Sequence, residues 1–374
     1  MTGSSTDRAT RVLRIYHSAV VGAWRERDRQ LRRRGLDLRT IAPRRWNEGG
    51  HDVVLDEGED AAFVVPARTI GRHPYVFLYN PLPLLRELRL HPDLVDAHEE
   101  PASLAALEIL LLMTITRSKA KLVFYGAQNL DKTFPVPFRW VERVALRRAH
   151  GAHVCNARAG ELFVKRGLRG HVCLLGLGVD VDRFHPSMQA PSPAGPIRLG
   201  FVGRLEHHKG VHIVIDAMSR IRDAQLTIVG DGPMASSLQE QIVRLGLDSR
   251  VTVQGFCPPD EVAEVYRSFD VLVVPSLETK SWVEQFGRVA VEAMASGVPV
   301  LASNSGALPD VVGDAGLLVT PGSVDAWVDA INAMAADPAL RSKVRDAGIA
   351  HADQYRWSEI ARRQHEFYET VLAS

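Results

Sequence analysis

The second half of the chain alternates short apolar runs with longer stretches of helical apolar spacing. Runs such as Val271 to Val274 and Val298 to Ala302 are almost continuously apolar, as is typical of strands buried on both faces of a parallel sheet. Between them, stretches such as Val211 to Arg222 and Glu284 to Ala295 repeat apolar residues at the three- and four-residue spacing of a helix. The pattern predicts an α/β fold in which helices cover a parallel sheet.

The first half shows the same alternation with less regular spacing. The predicted strands are Arg11 to His17, Asp37 to Ala42, Leu94 to Ala97 and Leu122 to Tyr125, and the predicted helices are Arg25 to Arg34, Leu104 to Thr116 and Phe138 to Ala149. Two such units in tandem predict two Rossmann-like, doubly wound parallel-sheet domains that face a cleft. Ligands of open α/β sheets bind beyond the carboxyl ends of the strands.

A proline-rich segment separates the two halves. The run from His185 to Pro196, HPSMQAPSPAGP, has four prolines and no regular apolar period, which is typical of a linker. The predicted organisation is a first domain over residues 1–185, a linker over 186–196, a second domain over 197–355 and a terminal helix over 356–374.

Composition narrows the class of protein. The 374 residues are 46% hydrophobic and 24% charged, which excludes a disordered or coiled-coil chain. The longest apolar stretch, Leu104 to Ile115, is too short to span a bilayer. Three scattered cysteines indicate neither a disulfide framework nor a zinc site, and they favour a reducing cytoplasm.

The net charge of +1 hides an asymmetry between the halves. Residues 1–185 hold 29 Lys and Arg against 21 Asp and Glu, whereas residues 186–374 hold 16 against 23. A basic first half indicates an anionic partner for the first domain.

A first candidate site follows the strand that ends at Val202. Gly203 and Arg204 come directly after this strand, and Lys209 comes just before the helix predicted from Val211. Two cations near a helix N-terminus suit a phosphate or diphosphate. The alternative interpretation is a solvated turn with surface cations.

A second candidate site contains two glutamates eight residues apart. The pattern places Glu284 at the start of a helix and Glu292 two turns later, on a similar face. A carboxylate accepts hydrogen bonds from two sugar hydroxyls at once, and the backbone N–H groups at Phe286 and Gly287 would remain available for a phosphate. The alternative is an ordinary helix with a capping Glu284 and a surface Glu292.

At this point the sequence resembles a known family, the retaining glycosyltransferases of the GT-B fold, which include mannosyl-, glucosyl- and sucrose-related transferases. The matching segments are FVGRLEHHKG, VGDGP and PSLETKSWVEQFGRVAVEAMASGVPVLASNSGALPDVV, with GVDVDRFHP resembling the interdomain segment. The resemblance is strong over residues 178–320.

The resemblance implies a role for each matching residue. Arg204 and Lys209, beside Gly203, would hold the diphosphate of a nucleotide-sugar donor, and Glu292 would bind the ribose. Glu284 would bind hydroxyls of the transferred sugar. The backbone at Phe286 and Gly287 would contact the distal phosphate or the sugar, Phe256 would lie beside the base, and the terminal helix would cross back to the first domain.

The first domain departs from the family pattern in two places. Gly22 is the only glycine in the loop after the first strand, where many members have a pair. Gln128 stands where many have a histidine facing the donor sugar, and an amide does not take up a proton at neutral pH. His98 is either a residue on the acceptor side of the cleft or part of a plain loop.

Two other segments have alternative interpretations. The run Arg25 to Arg34 contains six arginines, which form either a solvated helix face or a contact with anionic lipid or an anionic acceptor. The pair Asp180 and Asp182 mimics a metal-binding carboxylate pair but lies beside the linker. We interpret it as structural and expect no metal and no bound cofactor.

The sequence therefore predicts a cytoplasmic, metal-independent retaining glycosyltransferase that does not bind nucleic acid, with peripheral contact with a membrane left as an open alternative. Its substrates would be a nucleotide-sugar donor and an unidentified acceptor, and Glu284, Arg204 and Lys209 would carry the chemistry. Two alternatives come from other classes: a nucleotide-sugar epimerase or phosphorylase on the same scaffold, and a donor-binding partner subunit without turnover.

Overall fold

The computed structural model describes residues 8–48, 50–187 and 195–374, and the proline-rich segment predicted as a linker lies mostly outside these ranges. The chain divides into two compact units. The first comprises Met1–Leu175 with Trp357–Ser374, and the second comprises Gly176–Arg356.

The first unit is built on a seven-stranded sheet. Its elements up to residue 175 are β1 (Arg11–Ile15), α1 (Glu26–Arg33), β2 (Asp37–Pro43), β3 (Arg45–Glu48), β4 (His51–Val54), β5 (Val64–Ala67), β6 (Thr69–His73), β7 (Val76–Tyr79), α2 (Pro81–Leu88), β8 (Leu94–Ala97), α3 (Leu104–Ile115), β9 (Lys121–Gly126), α4 (Phe138–Arg148), β10 (Gly151–Val154), α5 (Ala157–Arg166) and β11 (His171–Leu174). The strand order is β11-β10-β9-β8-β1-β2-β5, and all neighbours are parallel.

The order of these strands reverses between β1 and β8. The chain leaves β1 for β2 on one side, whereas β8 leads to β9 on the other. Loops that leave the carboxyl ends of two such strands diverge and open a crevice, which is where doubly wound sheets bind ligands. Ile15 and Ala97, the last residues of the two strands, are fully buried, so the loops that follow begin directly from the core.

The second unit contains a six-stranded parallel sheet. Its elements are β12 (Ile197–Val202), α6 (Val211–Met218), β13 (Ala224–Val229), α7 (Ala235–Arg244), β14 (Val251–Gly255), α8 (Val262–Arg267), β15 (Val271–Val274), α9 (Arg288–Ala295), β16 (Val300–Ser303), α10 (Leu308–Val312), β17 (Leu317–Val319), α11 (Val324–Ala336) and α12 (Pro338–Ala352). The order is β14-β13-β12-β15-β16-β17, with parallel neighbours throughout. Here the order reverses between β12 and β15.

The prediction of two doubly wound α/β domains is confirmed. The predicted strands over residues 94–97, 197–202, 271–274 and 317–319 match the observed bounds. Of these, Val271–Val274 is buried along its whole length, as its continuous apolar run predicts. The paired strands β3–β4 and β6–β7 were not predicted. Both pairs are antiparallel. Three of the four strands contain no apolar run of strand length, whereas the apolar run of β7, Val76–Tyr79, was overlooked.

The last helix, α13 (Trp357–Ala373), belongs to the first unit. Its buried side chains, among them Ala361, Phe367 and Val371, pack with Val12 of β1 and Leu38 of β2. The unit boundary falls between Leu175 and Gly176, ten residues before the predicted one. The reason is that residues 176–185 are tied to the second unit, for example through the hydrogen bond from the Val179 N–H to the Tyr355 carbonyl (2.7 Å).

Among the described residues, no helix combines the length and the apolar character that crossing a bilayer requires.

Candidate active site

Two loops meet at the reversal point of the second sheet. The loop after β12 contains residues 203–210, and the loop after β15 contains residues 275–287. The Leu277 N–H donates to the His208 carbonyl at 2.7 Å, which joins the two loops. Gly210 allows this approach, because its φ is +72° and a Cβ there would lie 1.9 Å from the Pro275 carbonyl oxygen. The carboxyl ends of β12 and β15 therefore bring residues about 75 positions apart into contact.

An ion pair lies where the loops meet. The Lys209 Nζ donates to the Glu284 Oε2 at 2.8 Å, and the Ser276 hydroxyl donates to the same oxygen at 3.0 Å. The Lys209 ammonium also lies 4.5 Å from the centroid of the Trp282 ring, a favourable cation–π position. Glu284 is buried, so its carboxylate is held in one place by charge and by hydrogen bonds.

The predicted helical position of Glu284 is wrong. Helix α9 begins at Arg288, and Glu284 lies in the loop before it. Gly287 caps the helix with φ +82°, and a Cβ there would lie 2.4 Å from Leu308 Cδ2. The Glu284 carbonyl instead accepts from the Ala307 N–H (2.9 Å), which anchors the loop. The two glutamates are thus not on one helical face, although the apolar spacing of the sequence continues through the turn.

Arg204 and Gly203 occupy the start of the loop after β12. The Arg204 Nε donates to the Glu206 Oε1 at 2.8 Å, and the arginine is largely exposed. The Gly203 N–H donates to the Val229 carbonyl at 3.0 Å, which fixes the point where the loop leaves the strand. The loop therefore carries one exposed cation, Arg204, and one half-buried cation, Lys209.

Glu292 lies on α9 and is half-buried, in contrast to the surface alternative. Its Oε2 accepts a hydrogen bond from the Tyr266 hydroxyl at 2.9 Å. Burial raises the pKa of Glu292, although the Arg288 charge and the Tyr266 hydrogen bond oppose this shift. Phe286 is buried and packs edge-on against Tyr355 (5.6 Å).

Phe256 lies just after β14 and is 62% exposed. A single exposed apolar side chain does not by itself indicate a ligand, so the assignment of Phe256 to the base rests on the resemblance. Phe256 lies in the second unit with all the other residues assigned to the donor.

The first-unit candidates have different surroundings. His98, directly after β8, is only 4% exposed; its ring stacks on Tyr125 at 4.0 Å, and its Nδ1 lies 3.0 Å from the Arg14 guanidinium. It is therefore a buried member of a polar network rather than an exposed residue. Burial and the Arg14 charge hold the pKa of His98 well below its usual value.

This network also explains a cluster of potential metal ligands. Asp96, His98 and His153 offer ligand atoms within 4.8 Å of one another. The Arg14 guanidinium donates to the Asp96 Oδ2 at 2.9 Å and also pairs with Asp28. A cation already neutralises these carboxylates, so the cluster favours a structural ion-pair network over a metal site.

Gly22 and Gln128 lie in short turns of the first unit. Gly22 begins a 3₁₀ turn over Gly22–Arg25, and its carbonyl accepts from the Arg29 guanidinium at 3.2 Å. Gln128 follows β9, and its Oε1 accepts from the Leu130 N–H at 3.0 Å. Its amide oxygen thus shapes its own loop.

Sequence reasoning missed a second polar pair at the reversal point of the first sheet. His17 follows β1 and Glu99 follows β8; the His17 Nδ1 lies 2.5 Å from the Glu99 Oε2, and the His17 N–H donates to the Glu99 Oε1 at 2.9 Å. The Tyr79 hydroxyl donates to the same carboxylate at 2.7 Å. Burial lowers the pKa of His17, but Glu99, Glu48 and Glu100 outweigh burial and leave the pKa raised. The only sequence signal is the position of both residues after strands.

The arginine run from 25 to 34 is not a solvated face. Arg25 and Arg27 are buried, and the Arg25 Nε and the Arg29 Nε reach the Asp60 carboxylate at 2.5 and 2.8 Å. Arg27 lies 5.8 Å from the Trp357 ring centroid. Tertiary packing buries or partly buries the first four arginines of the run, and the exposed ones are Arg33 and Arg34 at its end.

Asp180 and Asp182 lie in a turn in which the Asp180 side chain has a local partner. The Asp180 Oδ1 accepts from the Asp182 N–H at 3.1 Å and from the Arg183 N–H at 3.3 Å. This arrangement is typical of an aspartate-stabilised turn, which is the structural role expected from the sequence.

Comparison with known proteins places this fold and site in a family. Residues 186–351 match the family of glycosyl transferases group 1. The chain is 33% identical over 306 residues to a D-inositol 3-phosphate glycosyltransferase of Arthrobacter sp., covering 75% of this chain and 71% of that protein. It is 32% identical to a 2-deoxystreptamine glucosyltransferase of Streptomyces kanamyceticus, covering 62% of this chain and 63% of that protein. With several curated relatives, the alignment spans only about half the length of the relative.

A solved structure with the same fold is HepE of Anabaena in complex with UDP and glucose. Its TM-score is 0.71 at 22% identity, and the match covers 96% of this chain and 100% of that one. Two doubly wound parallel sheets are the architecture of the GT-B fold, which the chain shares with that structure. The chain belongs to the group 1 family of glycosyl transferases.

Proposed function

We propose that the protein transfers a sugar from a nucleoside diphosphate to a hydroxyl of a small acceptor, with retention at the anomeric carbon. The observation that carries this proposal is the Lys209–Glu284 pair at the reversal point of the second sheet, 2.8 Å apart. It supports the proposal because a lysine cation suits a phosphate and a carboxylate can accept hydrogen bonds from sugar hydroxyls. Exposed Arg204 lies in the same loop as Lys209.

In this proposal the two cations act on the leaving group. Negative charge grows on the diphosphate as its bond to the sugar stretches, and Lys209 and Arg204 stabilise that charge. The N–H groups at the start of α9 add a positive helix end, while Glu284 orients the sugar. Glu292 holds the ribose, and the leaving phosphate assists deprotonation of the acceptor without a metal or a protein nucleophile.

The relatives support the substrate classes. Two of them are named for glycosyl transfer involving 2-deoxystreptamine and D-inositol 3-phosphate, and HepE was solved with UDP and glucose. We therefore propose a nucleoside diphosphate donor and a small hydroxylated acceptor. Within the first unit, His17 and Glu99 at the reversal point of its sheet are our candidates for contact with a hydroxylated acceptor.

The test is a thermal-shift screen of nucleoside diphosphates and nucleotide sugars, followed by transfer assays with and without excess chelator. A ligand at 100 times its dissociation constant stabilises the folded state by about 2.7 kcal/mol, which is readily measured. We expect stabilisation by a nucleotide sugar and transfer that survives the chelator. Sugar interconversion without acceptor would indicate an epimerase, and donor binding with neither transfer nor hydrolysis would indicate a partner subunit.

We predict that the two glutamates have separable effects. Glu292→Gln should weaken binding of the free nucleoside diphosphate and mainly raise the donor KM, because ribose contacts are the same in ground and transition states. Glu284→Gln should lower kcat more than it raises KM. Since Glu284 neutralises Lys209, its removal should leave binding of the sugar-free diphosphate unchanged or tighter.

Calorimetry with the nucleoside diphosphate measures this difference. Ser237→Ala on the exposed face of α7 is a control for handling and folding, since its hydroxyl contacts only a backbone carbonyl of its own helix start. If Glu284→Gln weakened diphosphate binding more than Glu292→Gln, the roles assigned to the two glutamates would have to be reversed.

We also predict a pH-dependent contribution from His17. Its folded-state pKa is raised, so the stabilisation from the charged ring is complete below an unfolded-state pKa of about 6.5 and is lost as the pH rises through the folded-state value. The free energy of unfolding of the wild type should therefore fall over this window relative to that of His17→Gln.

Urea unfolding of both proteins at a series of pH values measures that difference. Glu99→Gln removes the neighbouring charge and should lower the folded-state pKa of His17, so the pH-dependent stabilisation relative to His17→Gln should shrink. If Glu99 and His17 also serve the acceptor, both variants should raise the acceptor KM while leaving nucleoside diphosphate binding unchanged. Parallel pH curves for wild type and His17→Gln would contradict the ion pair.

A further inference from the structure

One surface of the first unit combines exposed apolar and cationic side chains. Helices α3 and α4 pack together, and the Arg148 guanidinium donates to the Thr114 hydroxyl across them at 3.0 Å. Large apolar side chains remain exposed on both: Leu111 and Ile115 on α3, Trp140 and Val144 on α4, and Val136 just before α4. We call residues 111–119 and 136–148 the α3–α4 face.

The apolar side chains of α4 fall into two sets. Val141, Ala145 and Leu146 are buried in the core of the unit, which explains why the helix forms there. Trp140 is 58% exposed and Val144 is 49% exposed, so they contribute nothing to that core. Exposed apolar residues clustered with a tryptophan are typical of a surface that binds something.

The charge of the α3–α4 face has one sign at its surface. Its exposed charged residues are Arg117, Lys119, Arg139, Arg143, Arg147 and Arg148. Glu142 is the only carboxylate in the two stretches; it is buried, and its Oε1 accepts from the Arg166 guanidinium at 2.7 Å. The face therefore presents cations and apolar groups without an exposed counter-charge of its own.

The arginines here differ from those of α1. The α1 arginines contact Asp60 and Glu26, whereas Arg139, Arg143 and Arg147 make no ion pair within residues 8–48, 50–187 and 195–374. On α4, Arg139 and Arg143 lie one turn apart on the exposed surface, and Trp140 and Val144 do the same beside them. A cationic row therefore runs next to an apolar row. A partner that presents closely spaced negative charges above an apolar layer satisfies both kinds of side chain at once.

From this complementarity we propose that the α3–α4 face docks on an anionic membrane surface. Trp140, Val144 and Ile115 enter the boundary between headgroups and acyl chains, and the arginines bind lipid phosphates. The interaction is peripheral, since it uses one face of an 11-residue helix that remains packed in the unit. This replaces the arginine run of α1 as the membrane contact, and it does not depend on the proposed function.

The test uses vesicles of pure phosphatidylcholine and of an equimolar mixture of phosphatidylcholine and phosphatidylglycerol. We expect co-sedimentation only with the mixture, a blue shift of tryptophan emission, and weaker binding in raised salt because exposed charges are screened within about 8–10 Å. Trp140→Phe should abolish most of the emission shift while retaining most of the binding.

Two double variants of equal charge distinguish this face from general attraction. Arg139→Gln/Arg143→Gln should lower the vesicle affinity by about tenfold or more, since each cation near an anionic surface contributes roughly a fivefold factor. Arg33→Gln/Arg34→Gln, on exposed residues at the end of α1, should change it much less. Thermal unfolding and nucleoside diphosphate binding should match the wild type in both variants.

Several results would overturn the proposal. They are absence of binding to the anionic vesicles, equal losses in the two double variants, and an emission shift that survives Trp140→Phe undiminished. Self-association of the wild type that Trp140→Ala disrupts, in the absence of vesicle binding, would instead assign the face to a second copy of the chain.

Discussion

Replacing Lys209 by methionine should lower kcat by about 10²–10³-fold, the usual loss when one preorganised charge-stabilising group is removed. Methionine keeps much of the aliphatic length but not the ammonium that lies 2.8 Å from the Glu284 carboxylate. The loss should appear in kcat more than in KM, because negative charge on the leaving diphosphate is greatest in the transition state. Steady-state kinetics with the donor found by the screen measures it.

Lys343→Met provides the matched control, since Lys343 is an exposed lysine on α12 of the same unit. It should leave kcat unchanged. The double variant Lys209→Met/Glu284→Gln should lose less than the product of the two single losses, because the two residues interact directly. Near-wild-type kinetics for Lys209→Met would contradict the proposal that Lys209 stabilises the leaving diphosphate.

Replacing Gly210 by alanine should disrupt the site through the backbone. The Cβ would lie 1.9 Å from the Pro275 carbonyl oxygen, and the φ of +72° is itself unfavourable for alanine. The loops after β12 and β15 must then separate, which breaks the hydrogen bond between Leu277 and His208. We expect a loss of about 3 kcal/mol or more in the free energy of unfolding, and a low kcat in the protein that remains folded.

Gly246→Ala is a control that has the unfavourable positive φ without a steric clash, so it separates the two causes of the loss expected for Gly210→Ala. Gly246 has a similar φ of +63°, but a Cβ there would have nothing within 4 Å. This variant should lose only about 1–2 kcal/mol and keep its kcat. Urea unfolding of the two variants gives the comparison, and equal losses would show that the contact with Pro275 is unimportant.

The first-unit polar groups illustrate why a sequence pattern was insufficient. His17 and Glu99 are 82 residues apart, and their local sequences do not indicate that the two side chains interact. Arg25 and Arg27 looked like a solvated run, yet they are buried because Asp60 and Trp357 lie beside them in the fold. Charge counts along a chain do not show which charges face solvent, since that depends on partners distant in sequence.

For Glu284, the sequence motif identified the residue as a candidate, but the sequence pattern predicted its local structure incorrectly. The resemblance of its motif implies that Glu284 binds hydroxyls of the transferred sugar, which stays a prediction, and the structure brings its carboxylate to Lys209. Its placement on a helix was wrong, because the left-handed conformation of Gly287 starts the helix at Arg288. Apolar spacing does not reveal that conformation, as glycine is compatible with either backbone path.

The sequence by itself determined the class of fold, several strands of both sheets, and Arg204, Lys209 and Glu284 as the candidates for chemistry. These follow from local periodicity and from motif residues close together in the chain. Only the tertiary structure decided which residues meet at the two reversal points and which arginines lie inside. It also decided that the exposed cationic and apolar face is formed by α3 and α4, because strand order and helix packing join segments that are distant in sequence.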